Sequence, residues 1–212
     1  MSSNISTPIT DHLDFENVYE PAEDSFLLLD ALEQELPMLQ NELDPKIAVE
    51  IGSGSGIISC ALASVLQNCH VIALDINPDA CQATISTSIK NQVKHKVSVV
   101  KCDFMQGFPI RGDLVDMIIC NPPYVATNED ETLHNDINAT WAGGSHGMKL
   151  TSKLINELPS MLKKGGYAFI VLEQCNQPKK VLKYVLDMKL QAEFVLSRRA
   201  GREFLYVLKI KM

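Results

Sequence analysis

Four consecutive residues, Asn121-Pro122-Pro123-Tyr124, have the chemistry to grip a planar amino group. Two prolines hold the backbone extended and leave their carbonyls outside any strand ladder. The Asn121 side-chain oxygen and a proline carbonyl can then converge as two acceptors on one NH2, with the Tyr124 ring across its face. The competing reading is a rigid proline turn after a strand. Upstream, Glu50-Ile-Gly-Ser-Gly-Ser-Gly56 has the glycine density that lets a ligand approach backbone, with the free N–H groups of a helix behind it. Asp75 stands about twenty residues further on, where a carboxylate can accept both hydroxyls of a ribose. Asp103, beside Phe104, could take an exocyclic amine while the ring covers a base. A capping acid at Asp75 and a turn acid at Asp103 are the plain alternatives.

Other chemistries fit poorly. The glycine run misses the dinucleotide spacing, because the sixth position from Gly52 or Gly54 is Ile57 or Ser59, and no P-loop lysine follows. A nucleophile-elbow serine would have to stand where Gly54 does. Six cysteines, at 60, 69, 81, 102, 120 and 175, form no C-x-x-C, and most lie in apolar runs, as expected of small buried hydrophobes in a reducing compartment. His12, His70, His95, His134 and His146 show no metal or catalytic spacing. No metal is expected.

These groups need a frame that brings them to one edge. Lys46 to Ile51, Val71 to Asp75, Val97 to Lys101, Leu114 to Cys120 and Tyr167 to Leu172 are apolar strands, and each of the first four ends at one of the candidate groups. Helices are expected between them. One starts with Pro21 in its first turn and turns Phe26, Leu29 and Leu32 inward; one follows Gly56; one opens at Asn77-Pro78. Another runs from Leu150 to Leu162 and stops at Lys163-Lys-Gly-Gly166, and one covers Pro178 to Met188. Phe194 to Leu196 and Phe204 to Ile210 are too close in sequence for a helical crossover, so they pair antiparallel. The expected fold is α/β, a doubly wound, mostly parallel sheet closed by a C-terminal antiparallel hairpin. Residues 1–18 read as a flexible segment and 19–212 as one domain.

The 212 residues carry a net charge of −7, which argues against stable nucleic-acid binding. Twelve acids and one base fall in residues 1–50, and five acids and thirteen bases in residues 149–212, so two faces of opposite potential are expected. The first residues lack the basic start and apolar stretch of a signal peptide, and no apolar run is long enough to cross a bilayer. A soluble protein of the cytoplasm, with the nucleus as second compartment, is the expectation.

The combination of the glycine run, Asp75, Asp103 and Asn121-Pro-Pro-Tyr124 resembles class I S-adenosylmethionine-dependent methyltransferases that act on exocyclic or amide nitrogen. With Val18-Tyr-Glu-Pro-Ala-Glu-Asp-Ser25, Asp75-Ile-Asn-Pro78 and Trp141-Ala-Gly-Gly144, nearly the whole chain is similar to the eukaryotic HemK-like release-factor glutamine methyltransferases. The resemblance implies a Rossmann-like methyltransferase sheet and methylation of the glutamine amide in the Gly-Gly-Gln motif of a class-one release factor. It implies S-adenosylmethionine contacts at Tyr19, Ser25, Glu50, Gly52, Gly54, Asp75, Asp103, Phe104 and Asn121. The catalytic clamp falls on Asn121, Pro122, Pro123 and Tyr124, with Asn121, Pro122 and Tyr124 touching substrate. Bacterial members carry a further N-terminal helical domain, for which the stretch before the first strand is too short.

An amide nitrogen is a poor nucleophile, so two acceptors on its hydrogens would supply orientation and electrostatics rather than base catalysis. The same clamp fits a neutral lysine amine, as on a basic histone tail drawn to an acidic rim, or a flipped nucleobase amine. A non-catalytic binding module is the remaining alternative. The resemblance also implies a partner, a small zinc-binding activator subunit. In the fold it implies, Val97 to Lys101 is an edge strand, β-branched and without proline, which invites strand addition unless a local element covers it.

Overall fold

Short apolar runs bounded by glycine, proline or capping side chains make the inner strands. In the computed structural model, which describes residues 4–103, 114–123 and 148–212, these are β1 (Ile47–Ile51), β2 (His70–Asp75), β3 (Val97–Lys101) and β4 (Val115–Cys120). With β5 (Leu162–Glu173), β6 (Gln191–Ala200) and β7 (Glu203–Lys211) they form a seven-stranded sheet in the order β3-β2-β1-β4-β5-β7-β6. The first five strands of that order run parallel, and β7 is antiparallel to both neighbours. Every residue of β4 is buried, as a strand covered on both faces requires. The α/β sheet with an antiparallel C-terminal hairpin is therefore as expected.

On one face lie α1 (Glu23–Gln34), α3 (Ile57–Val65) and α4 (Pro78–Lys90), the last packed on α3, β2 and β3. Between α1 and β1, α2 (Leu36–Met38) runs into a π turn over Leu39–Leu43. Leu28, Leu32, Leu62, Met117 and Phe169 centre the core on this side. On the other face α5 (Lys149–Met161) and α6 (Pro178–Asp187) bury Leu154, Leu158 and Val181 against Val49, Ile118 and Ile170. Asn77 caps α4 by accepting from Asp79 N at 2.9 Å, with Pro78 at the first helical position.

Two local expectations fail. Pro21 precedes α1 rather than entering it, since Ala22 is the N-cap. Leu29 and Leu32 face inward as expected, but Phe26 is partly exposed, and Leu27, Leu28 and Ala31 widen the buried face, because α1 rests on both the sheet and α3. α5 ends at Met161, within one residue of expectation, but Lys163-Lys-Gly-Gly166 belongs to the start of β5 rather than to a helix cap. Gly166 serves strand approach. Leu162 pairs with Val115 across an irregularity, and a Cβ on Gly166 would stand 2.9 Å from the Asp116 carbonyl oxygen.

Candidate active site

The strand order reverses between β1 and β4, and ligands of open α/β sheets bind at the carboxyl ends of such a pair. One side of this crevice is the glycine loop after β1. Gly52 N and Ser53 N donate to Leu74 O at 2.8 and 3.1 Å, and Gly54 N donates to Asp75 Oδ2 at 2.8 Å. From behind, Thr84 Oγ1 lies 2.9 Å from Ser53 Oγ, and Thr87 Oγ1 donates to Ser55 O at 2.8 Å. Gly56 makes that support possible: its φ is +79°, and a Cβ there would sit 2.7 Å from Thr84 Cα. Gly52 and Gly54 also have positive φ, but their missing Cβ atoms would meet nothing within 4 Å. They leave open space on the crevice side.

Glu50 lies under this loop, buried, accepting from Ser59 N at 2.9 Å and from Ser59 Oγ. Burial pushes its carboxyl up to about 8 against these donors, helped by the nearby Asp75. Asp75 itself accepts from Gly54 N and, through Oδ1, from Asn77 N at 2.9 Å. Each oxygen keeps a second lone pair for a ligand hydroxyl. Beyond it Ile76 is 60% exposed, an apolar cover beside a carboxylate that sequence reasoning did not single out. Asp103 is exposed just past β3, whose next residue, Cys102, bonds to Asp75 O.

The other side of the crevice is the end of β4. Asn121 Nδ2 donates to Asp24 Oδ2 at 3.0 Å, across 97 residues of sequence. Tyr19 OH donates to the same carboxylate at 3.0 Å and Ser25 N at 2.7 Å. Asp24 is 3% exposed, in the first turn of α1 where the helix dipole favours an anion. At the far end of the Asn121 amide, Oδ1 is shielded from solvent and has no hydrogen-bond partner among the described residues. An unmet buried acceptor costs roughly 1–3 kcal/mol, so it calls for an explanation.

Tyr19, Ser25 and Asn121, singled out from the sequence, thus converge on Asp24, which was not. Its acidity at a helix start reads as ordinary dipole matching, and no local signal gives the long-range contact. Gly52, Gly54 and Asp75 come together on the β1–β2 side, with Glu50 beneath them rather than on the crevice surface. Pro122 is buried and Pro123 exposed beyond Asn121. Phe104, Tyr124 and Trp141 to Gly144 lie outside the described residues. Among the described residues no helix is long and apolar enough to cross a membrane.

A family model for the methyltransferase small domain matches residues 23–194, which include the loop, both aspartates and the Asn-Pro-Pro segment. The chain belongs to the methyltransferase small-domain family. Among its relatives, human methyltransferase HEMK2 is 38% identical over 211 residues, covering 97% of this chain and 96% of that protein. The Schizosaccharomyces pombe eRF1 methyltransferase catalytic subunit mtq2 is 36% identical over 221 residues, covering 97% of this methyltransferase and 95% of the yeast protein. In fold it is similar to E. cuniculi Mtq2 in complex with Trm112, an assembly that methylates the eRF1 translation termination factor. That likeness has a TM-score of 0.67 at 23% identity, over 92% of this chain and 98% of the other.

Proposed function

We propose that this methyltransferase transfers the methyl group of S-adenosylmethionine to the side-chain amide nitrogen of the glutamine in the Gly-Gly-Gln motif of a class-one release factor, acting in the cytoplasm and nucleus. One observation carries the reading: the shielded Asn121 Oδ1 at the end of β4, which has no partner among the described residues and can accept an N–H. The fission yeast relative, an eRF1 methyltransferase catalytic subunit, supports a release factor as substrate, and the human relative supports methyl transfer.

The residues fit the cofactor. The open side of Gly52 and Gly54 admits a bulky ligand against backbone, Asp75 has lone pairs for ribose hydroxyls, and Ile76 offers an apolar cover. Asp103 and Phe104 would hold the adenine. Bound there, the sulfonium supplies an activated methyl group. Asn121 Oδ1 and the Pro122 carbonyl would take the two hydrogens of the substrate NH2. Pro123 would keep the segment extended, and Tyr124 is assigned the role of covering the amide. This grip shifts density onto nitrogen and aims its lone pair at the methyl group, so preorganised acceptors replace a strong base. The proton is lost readily once nitrogen is alkylated.

A small zinc-binding activator subunit is the proposed partner, seated along β3, which ends the sheet order and pairs with β2 alone among the described residues. The E. cuniculi Mtq2–Trm112 complex supports a two-subunit enzyme. A second reading, methylation of lysine on a histone-like tail, draws on the exposed acids Asp11, Asp14, Glu16, Glu20 and Glu23 around Tyr19. Both are tested by incubation with labelled cofactor and three substrates: release factor, the same protein with its Gly-Gly-Gln glutamine changed to asparagine, and histone. Label on the first alone is expected. Label on histone alone would transfer the assignment to lysine, and none on any would remove it.

A further inference from the structure

Asn121 must present one particular end of its side chain to the acceptor nitrogen, and nothing in an asparagine chooses that end. Its amide carries a donor and an acceptor of nearly equal shape. What stands behind it makes the choice. A carboxylate only accepts, so with Asp24 Oδ2 at 3.0 Å the NH2 end must face α1 and the carbonyl end must turn the other way. Asp24 is itself held in place by Ser25 N and Tyr19 OH and is nearly fully buried.

We propose that Asp24 is a positioning residue that sets the hydrogen-bond polarity of the acceptor site. The inference rests on the reading of Asn121 as a grip on the substrate NH2. Acting through Asn121, Asp24 makes the site a reader of N–H donors. Glutamine amide or a neutral amine satisfies it. The isosteric carboxylate of glutamate brings only acceptors against an acceptor and is rejected.

Asp24→Asn tests this with almost no change of shape. Ser25 N, which donates to Asp24 Oδ1 at 2.7 Å, still requires an acceptor, so the new side chain keeps its oxygen there and sets its NH2 at the Oδ2 position, toward Asn121 and toward Tyr19 OH, a hydroxyl that can accept as well as donate. Asn121 must then flip, offering NH2 to the substrate. Expected is a fall in kcat of roughly 100-fold or more, as for other lost preorganised acceptors, with cofactor affinity by calorimetry changed less than about threefold. A peptide with glutamate in place of the target glutamine should become a competitive inhibitor of the variant and not of the wild type. In the double variant Asp24→Asn/Asn121→Asp the donor and acceptor have changed places and an oxygen again faces the substrate. It should recover at least ~10-fold of the loss and exceed Asn121→Asp alone, which sets two carboxylates against each other.

A readout without turnover is the Asn121 side-chain NH2 signal in 15N NMR, assigned by its loss in Asn121→Ala. In the wild type it should be exchange-protected, and in Asp24→Asn it should exchange at least ~10-fold faster. Turnover of Asp24→Asn within threefold of wild type, or no recovery in the double variant, overturns the inference. Should Asp24→Asn fail to fold, the double variant against Asn121→Asp decides alone. A wild type inactive on release factor but with a protected NH2 sinks the substrate reading and leaves Asp24's role standing; an unprotected NH2 sinks the latter.

Discussion

Asn121 joins two environments, a buried carboxylate on one side and an unmet acceptor position on the other. Removing it should therefore separate chemistry from binding. Asn121→Ala is expected to lower kcat roughly 100-fold or more while cofactor affinity changes by much less, as read by single-turnover methylation and calorimetry. Equal loss in both would mean that Asn121 holds the cofactor rather than the substrate. Glu50 gives the second test at this scale. Its folded carboxyl titrates near 8, so the native chain keeps a proton that the unfolded chain releases above its ordinary range. Its contribution to stability is complete below the unfolded value near 4.5 and declines as pH rises toward about 8, on the order of 1 kcal/mol per pH unit. Urea unfolding from pH 5 to 8 should show that slope flattened in Glu50→Gln, whose amide still accepts from Ser59; parallel curves would remove the buried proton. What was legible here follows from range. Asn121, Asp75 and the glycines sit in short motifs whose chemistry is local, whereas Asp24 matters only through a partner 97 residues away.

The glycine loop and α4 act as one unit at the scale of elements. Gly56 and Gly52 share a positive φ yet differ in surroundings, with Thr84 against one and open space beside the other. Gly56→Ala should cost roughly 2 kcal/mol or more in chemical denaturation, from backbone strain and a clash that α4 must yield to. Gly52→Ala should cost about 1 kcal/mol, from backbone strain alone, but weaken cofactor binding, since its methyl enters the crevice. Similar stability losses with unchanged cofactor affinity in both would show that the open side of the loop is not the binding face. The inner strands were readable because each is a compact apolar run closed by a punctuating residue. The full buried face of α1 and the strand role of the residues after α5 were not. Lys163-Lys-Gly-Gly166 has a good helix-stop composition, but tertiary pairing of Leu162 with Val115 draws it into β5, and the face of α1 is chosen by what it packs on.

For the molecule as a whole, the side of β3 that pairs with no strand among the described residues is the feature with most consequence for the proposed assembly. Cys102 N donates to Asp75 O at 2.8 Å, and backbone groups alternate along a strand, so Val100 and Ser98 point their N–H groups at β2. Val97, Val99 and Lys101 point theirs outward, where a partner strand would find them. This parity separates two substitutions that look equivalent in sequence. Val99→Pro removes an outward N–H and leaves the β2–β3 ladder whole, and its ring still offers apolar surface to the core beside α3. Val100→Pro deletes an inner hydrogen bond and should destabilise the chain by roughly 1–3 kcal/mol whatever its partner. Co-expression with the proposed activator subunit, followed by affinity capture and thermal unfolding, should therefore show two different failures. Val99→Pro loses the subunit while its far-ultraviolet circular dichroism stays that of the wild-type chain, with solubility and activity falling because the edge is left bare. Val100→Pro unfolds at lower temperature even while some subunit remains bound. Wild-type stoichiometry in Val99→Pro would exclude pairing through β3, and so would a lone chain that is soluble, monomeric and fully active on release factor.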